Sequence, residues 1–178
     1  MCCNFGDSNE DPSSHPLPSS EKMYGVLKKL DDDLCMTLRQ RFNLQGLLPG
    51  INFVNVYKIS WIKLFGTKYS KSGVIVVDIT GEPAYPVFGE IVCIWSIHDF
   101  VYFDVQLFHT ECFDYKHQAY RVTTIGSEKN KKAVYSYDSL VDFNVFHCKK
   151  DKHGQQYVPV KYDLRAIIEH AEGQNPLH

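Results

Sequence analysis

The chain has 178 residues, enough for one domain with a buried core, and carries a formal net charge of −2. A hydrophobic fraction of 44% and an aromatic fraction of 13% are typical of a folded globular protein and exclude a largely disordered one. The near-neutral total charge excludes a strong overall attraction to nucleic acid or to membranes.

Two further classes of protein are not expected from the sequence. No stretch approaches the roughly 18 consecutive apolar residues of a membrane span, and no basic start followed by an apolar run indicates a secretory signal. Without such a signal the cysteines indicate reduced thiols, so we expect an intracellular protein. The six cysteines are Cys2, Cys3, Cys35, Cys93, Cys112 and Cys148.

The first 50 residues are predicted to be a tail followed by a helix. Residues 1–20 are rich in Ser, Pro, Asp and Asn, which predicts disorder. An amphipathic helix is predicted over 21–45, with Ser20 as its N-cap, and it either packs on its own domain or mediates self-association. The apolar residues at three- and four-residue steps are Met23, Val26, Leu27, Leu30, Leu34, Leu38 and Phe42.

From Asn52 onward the hydrophobic period changes to two, which indicates β-strands. Short strands at regular spacing predict a mainly β (α+β) fold, built as a small antiparallel barrel or sandwich over 51–172. A last helix at 163–172 is expected to cover one barrel end, and 173–178 to form a second disordered tail. The predicted strands are 53–60, 73–79, 87–97, 100–109, 117–124, 132–137, 143–148 and 156–162.

The clearest predicted hairpin joins 87–97 to 100–108 around His98 and Asp99. An even loop at this point places Trp95 beside Tyr102 and Cys93 beside Asp104, whereas an odd loop shifts the register by one residue. With the even loop, one face of the hairpin belongs to the core and holds Val92, Ile94, Phe103 and Val105, and the opposite face holds Ile91 beside Gln106.

Four segments carry a resemblance to known proteins: GTKYSKSGVIVV (66–77), YPVFGEIVCIW (85–95), FDYKHQAYRV (113–122) and QYVPVKYDL (156–164). Together they resemble an uncharacterised β-rich module found toward the C-terminus of animal proteins of transposon origin. The segment PVFGEI is also similar to the barrel of bromo-adjacent homology (BAH) and SH3-like chromatin modules. The resemblance implies an SH3/BAH-like barrel and a chromatin or transposon-derived setting in the nucleus, and it transfers no catalytic residue.

A dense group of metal-binding side chains lies in FHTECFDYKHQAY (108–120). The spacing His109-x2-Cys112-x4-His117, with His147 and Cys148 further along, could assemble a tetrahedral zinc site. No Cys-x2-Cys pair accompanies it, so we favour a turn at 109–112 followed by a strand that begins at His117, and we predict neither a metal nor a cofactor. A thiol-dependent enzyme using Cys112 or Cys148 with a nearby histidine is a third possibility, without a family signature to support it.

Two binding surfaces are candidates. Trp95 and Tyr102, with Asp104 on the same face, could bind a cationic side chain of a peptide, provided that the rings are exposed. Separately, lysines alternate with aromatic residues in 58–71, as on nucleic-acid-binding barrels, unless Trp61 and Phe65 are buried and the lysines merely solvated. The residues of this second candidate are Lys58, Trp61, Lys63, Lys68 and Lys71.

The sequence therefore favours a non-enzymatic protein-interaction module with a protein partner. The alternative is a nucleic-acid-binding barrel that uses 58–71. Burial of Trp61, Trp95 and Tyr102 distinguishes these hypotheses, because each of them needs its aromatic side chains at the surface.

Overall fold

A computed structural model describes residues 22–29, 38, 56–124, 132–161 and 164. These residues form a mainly β structure in which every strand pairing is antiparallel, with one 3₁₀ turn at Tyr137–Ser139. The strands are β1 (Lys22–Tyr24), β2 (Leu27–Lys29), β3 (Val56–Ile59), β4 (Trp61–Leu64), β5 (Thr67–Ser70), β6 (Val74–Thr80), β7 (Tyr85–Ile97), β8 (Phe100–Asp114), β9 (Ala119–Thr124), β10 (Lys132–Ser136), β11 (Asp142–Phe146), β12 (Lys149–Lys150) and β13 (Gln156–Pro159).

The hairpin of β7 and β8 is the centre of the fold, with strands of 13 and 15 residues. Its turn residues His98 and Asp99 have φ angles of 48° and 68°, as a two-residue type I′ turn requires. Trp95 pairs with Tyr102 and Cys93 with Asp104. The even loop and the register predicted for this end of the hairpin are therefore confirmed.

A β-bulge changes the register further along the same hairpin. The pairing shifts between Ile91 and Cys93, so that Ile91 lies opposite Val105 and Val92 is the extra residue. Ile91 also exchanges backbone hydrogen bonds of 2.8 Å with Ser72 and Gly73, at the corner between β5 and β6. The prediction that Val92 lies in the core and Ile91 on the opposite face is wrong, because the extra residue reverses the alternation and buries Ile91.

Each strand of the central hairpin has two partners on its outer edge. β7 pairs with β6 through Tyr85–Glu90 and with β3 through Ile94–Ile97. β8 pairs with β10 through Tyr102–Gln106 and with β9 through Phe108–Asp114. Among the strands that the structure describes, the hydrogen-bonded order β11-β6-β7-β8-β9-β13-β12 does not return to its start. The predicted mainly β, antiparallel fold is therefore confirmed, whereas the predicted barrel is wrong for these strands, which form open sheets.

The hydrophobic core has three parts, arranged around the central hairpin. The first lies between one face of the hairpin and the smaller β1-β4-β5 sheet, and includes Ile62, Tyr69 and Phe103. The second gathers Phe88, Phe108 and Tyr120 around the other end of the hairpin. The third lies on the opposite face, where Leu38 packs with Trp95 and Tyr102.

The helix predicted over 21–45 is wrong at its start, because Lys22–Tyr24 and Leu27–Lys29 are strands. Gly25 fits closely against β4: a Cβ there would lie 2.5 Å from the Trp61 ring, and its N–H donates a 2.8 Å hydrogen bond to the Trp61 carbonyl. Met23, Val26 and Leu27 of the predicted apolar stripe are exposed rather than packed. Apart from Leu38, the rest of that helix and its self-association lie outside the described residues.

Other predictions also lie outside the described part of the chain. They are the tails at 1–20 and 173–178 and the helix at 163–172, of which only the buried Leu164 is described. None of the described residues belongs to a helix that could cross a bilayer.

Substitution of Gly89 tests the register beyond the bulge. A Cβ at Gly89 would lie 2.8 Å from Val105 Cγ2 and 2.9 Å from Val105 Cβ, so we expect Gly89→Ala to lower the free energy of unfolding by about 1–3 kcal/mol. Urea denaturation measures this change. In a Val105→Ala background the clash is reduced, so the same substitution is expected to destabilise less. Equal losses in both backgrounds would contradict the described contact.

Candidate nucleic-acid interface

The β4–β5 hairpin presents one apolar face and one basic face. Its turn residues Phe65 and Gly66 have φ angles of 48° and 87°, and the pairing places Lys63 directly opposite Lys68. Side chains alternate along each strand, so Ile62, Leu64 and Tyr69 point into the first core. Trp61, Lys63 and Lys68 consequently share the outward face.

The sequence segments that form and adjoin this hairpin carry only positive charges. Residues 22–29 and 56–77 contain seven lysines and no Asp or Glu, although the whole chain has a net charge of −2. Lys28 lies opposite Lys58 in the pairing of β2 with β3, just as Lys63 lies opposite Lys68. Like charges directly opposite one another destabilise a sheet. We define the basic face as the outward Lys63 and Lys68 with Trp61, together with the exposed Lys71 that follows β5. Lys58 lies opposite Trp95 in β7, so its side chain and that of Lys28 are on the other face of that sheet.

Trp61 is held in place on the basic face by contacts on two sides. The Lys68 ammonium lies 4.7 Å from the centroid of the Trp61 ring, a cation–π contact. Gly25 packs against the Trp61 ring, where a larger residue would collide with it. Trp61 is partly exposed and Phe65 is 54% exposed, so the alternative in which both rings are buried is wrong.

A row of three aromatic rings begins at the tip of the hairpin. Phe65 stacks on Tyr137 with 6.1 Å between ring centroids, and Tyr137 contacts Phe143 at 5.0 Å. Tyr69 supports the row from the core, because its hydroxyl donates a 2.5 Å hydrogen bond to the Phe143 carbonyl. We call Phe65, Tyr137 and Phe143 the aromatic row. Tyr137 and Phe143 could not be predicted as part of this site from the sequence, because only tertiary packing brings these distant residues to the hairpin.

The residues of the predicted peptide-binding surface are buried. Trp95, Tyr102 and Asp104 are only 8%, 5% and 4% exposed. Leu38 and Val134 pack with the two rings in the third core, which leaves no surface for a peptide side chain. The hypothesis of an exposed aromatic site at these residues is therefore wrong, since it requires the rings to face solvent.

The residues of the zinc hypothesis do not converge. His109 and Cys112 lie within β8, which continues to Asp114, so the turn predicted at 109–112 is wrong and lies instead at 115–118. A second bulge, between Thr110 and Cys112, breaks the alternation of inward and outward side chains at this point, so the strand pattern is not visible in the sequence. His147 and Cys148 lie between β11 and β12, and no group of three potential metal ligands is found in the described ranges.

Two of these residues have local partners that explain their positions. His117 lies in the turn after β8, and its Nδ1 is 2.7 Å from Asp114 Oδ2; this hydrogen bond lowers the pKa of the Asp114 carboxyl. Cys112 pairs with Arg121, which also binds the Glu111 carboxylate at 2.6 Å. Burial raises the pKa of the Cys148 thiol, which disfavours the reactive thiolate that a thiol-dependent enzyme needs.

Comparison with protein-family models, with curated proteins and with solved structures gives no significant match.

Tyr69 links the stability of this site to pH. Burial, followed by the nearby Tyr137, raises the pKa of the Tyr69 phenol far above its usual value of about 10. The raised pKa means that the protonated Tyr69 phenol stabilises the folded protein fully below pH 10. Above pH 10 this contribution to the free energy of unfolding falls, because the unfolded chain loses the phenol proton at a lower pH than the folded chain. We expect the free energy of unfolding to decrease by up to about 1.4 kcal/mol per pH unit from this group.

Chemical denaturation between pH 8 and pH 11 checks this expectation. Tyr69→Phe should destabilise the protein by about 1 kcal/mol at pH 8, because the hydrogen bond to Phe143 is lost, and should then show a shallower decrease above pH 10. Tyr115→Phe is the control, since Tyr115 is exposed in the turn after β8. Equal slopes for Tyr69→Phe and the unsubstituted protein would contradict the assignment.

Proposed function

We propose that the chain is a non-enzymatic binding module that binds single-stranded nucleic acid on its basic face. The observation that carries the proposal is the pairing of Lys63 with Lys68 across the β4–β5 hairpin, which contains no carboxylate. Phosphates along a strand would relieve the repulsion between paired lysines and release bound counterions. The partly exposed Trp61 among these lysines adds a ring on which a base can stack.

Binding of this kind depends on positive charge concentrated on the basic face and not on the net charge of the whole protein. A net charge of −2 gives no long-range attraction, so affinity depends on the few lysines that contact phosphate. Each phosphate contact on a single strand contributes about −0.7 to the slope of log affinity against log salt. With about three contacting lysines, we expect a slope near −2 and binding that weakens with salt.

A protein-interaction module is the second candidate, and one observation supports it. Met23, Val26 and Leu27 are large apolar residues exposed on the β1–β2 segment, where a partner could cover them. A chromatin or transposon-derived setting and a nuclear location belong to this proposal, since they come from the resemblance of the four quoted segments.

The nucleic-acid proposal is tested by fluorescence anisotropy with a labelled thymine oligonucleotide at about 50 mM salt and at higher salt. Lys63→Ala/Lys68→Ala is expected to weaken binding and to reduce the magnitude of the salt slope by about 1.4, because two phosphate contacts are removed. Both substitutions lie on an exposed face, so the fold should persist.

The matched control is Lys116→Ala/Lys152→Ala, which removes two exposed lysines from turns outside the basic face. This variant should keep both the affinity and the slope of the unsubstituted protein. Absence of binding at 50 mM salt would overturn the proposal, as would an equal loss in the two double variants.

A further inference from the structure

Two of the three rings in the aromatic row leave a large part of their apolar surface exposed to solvent. Phe65 is 54% exposed and Phe143 is 45% exposed, and the two rings flank the buried Tyr137. Contact with Tyr137 covers only part of each ring. The row therefore presents two ring surfaces to solvent beside one fixed ring in the core.

Phe65 also occupies a backbone position that a bulky residue rarely adopts. Its φ of 48° lies in the left-handed region, where the Cβ of most residues is crowded and where Gly, Asn or Asp is usual in a two-residue hairpin turn. Local strain of this kind persists when the surrounding structure holds it, and it is frequent at binding sites. Here the strained backbone conformation places the half-exposed ring of Phe65 at the tip of the β4–β5 hairpin.

We propose that the aromatic row is a stacking site for nucleobases, and this inference rests on the proposed function of the basic face. Phe65 follows Lys63 by two residues and precedes Lys68 by three, so a strand whose phosphates contact these lysines can reach Phe65 with its bases. Every base has a π surface, so the site takes single-stranded nucleic acid with little sequence preference.

The charges around the row orient the strand. Asp138 is exposed between Tyr137 and Phe143 in the sequence, and its charge contributes to raising the pKa of Tyr137, after the effect of burial. A phosphate near Asp138 would be repelled, whereas a phosphate beside Lys63 or Lys68 would be attracted. The phosphates therefore lie on the hairpin side of the row, and the bases point toward the rings.

The decisive variant is Phe65→Asn, because asparagine tolerates the left-handed backbone. We expect its Tm to equal or exceed that of the unsubstituted protein, while its Kd for an eight-residue thymine oligonucleotide rises about five-fold or more. The salt slope should not change, since no charge is removed. Phe143→Ala should weaken binding in the same way, and Phe100→Ala, which removes an exposed ring elsewhere, should not.

A second probe separates stacking from charge. An abasic oligonucleotide of the same length and charge should bind the unsubstituted protein at least five-fold more weakly than the thymine oligonucleotide. Phe65→Asn should leave the affinity for the abasic probe unchanged. Asp138→Asn should strengthen the binding of both probes, because a repulsive charge is removed.

The outcomes distinguish the stacking inference from the proposed function. If both probes bind alike, if Phe65→Asn and Phe143→Ala bind thymine normally, or if they lose affinity for both probes equally, the stacking site is overturned. The basic face then stands, provided that Lys63→Ala/Lys68→Ala still weakens binding. If the unsubstituted protein binds neither probe, both proposals fall, and an apolar protein segment becomes the better occupant of the row.

Discussion

The two-residue turn between β7 and β8 is formed by His98 and Asp99. Both residues hold positive φ angles, and this geometry fixes the pairing of the two longest strands. Each of those strands pairs with two further strands along its outer edge. The positions of β3, β6, β9 and β10 therefore also depend on this turn. A slip of one residue there would exchange the faces that form the first and third cores.

Local features of the fold could be predicted from the sequence, whereas features that depend on contacts between distant residues could not. A two-residue loop and strict alternation were enough to pair Trp95 with Tyr102. The bulge at Val92 could not be predicted, because it accompanies hydrogen bonds between Ile91 and the corner of another hairpin. The apolar stripe at 22–29 has a helical period, yet its backbone pairs with lysine-bearing strands brought close by tertiary structure. The basic stretch at 58–71 was recognisable from its composition, whereas the rings beside it were not.

The basic face and the aromatic row depend on the same core residue. Tyr69 fills the space beneath the β4–β5 hairpin, contacts the Tyr137 ring edge-on and holds the Phe143 carbonyl with its hydroxyl. Its neighbours on the outward side are the opposed lysines. Charge on one side of the hairpin and exposed rings at its tip are thus positioned by one buried phenol, which couples the rigidity of the binding surface to the packing of the interior.

The different surroundings of the two tryptophans make the chain its own optical probe. Trp95 lies in the interior at 8% exposure, whereas Trp61 is partly exposed beneath the ammonium of Lys68. While the protein is folded, a collisional quencher dissolved in the buffer reaches the indole of Trp61 but not that of Trp95. Emission that resists quenching therefore reports the intact interior, and the quenchable fraction reports events at the surface, so folding and binding can be followed separately without any attached dye.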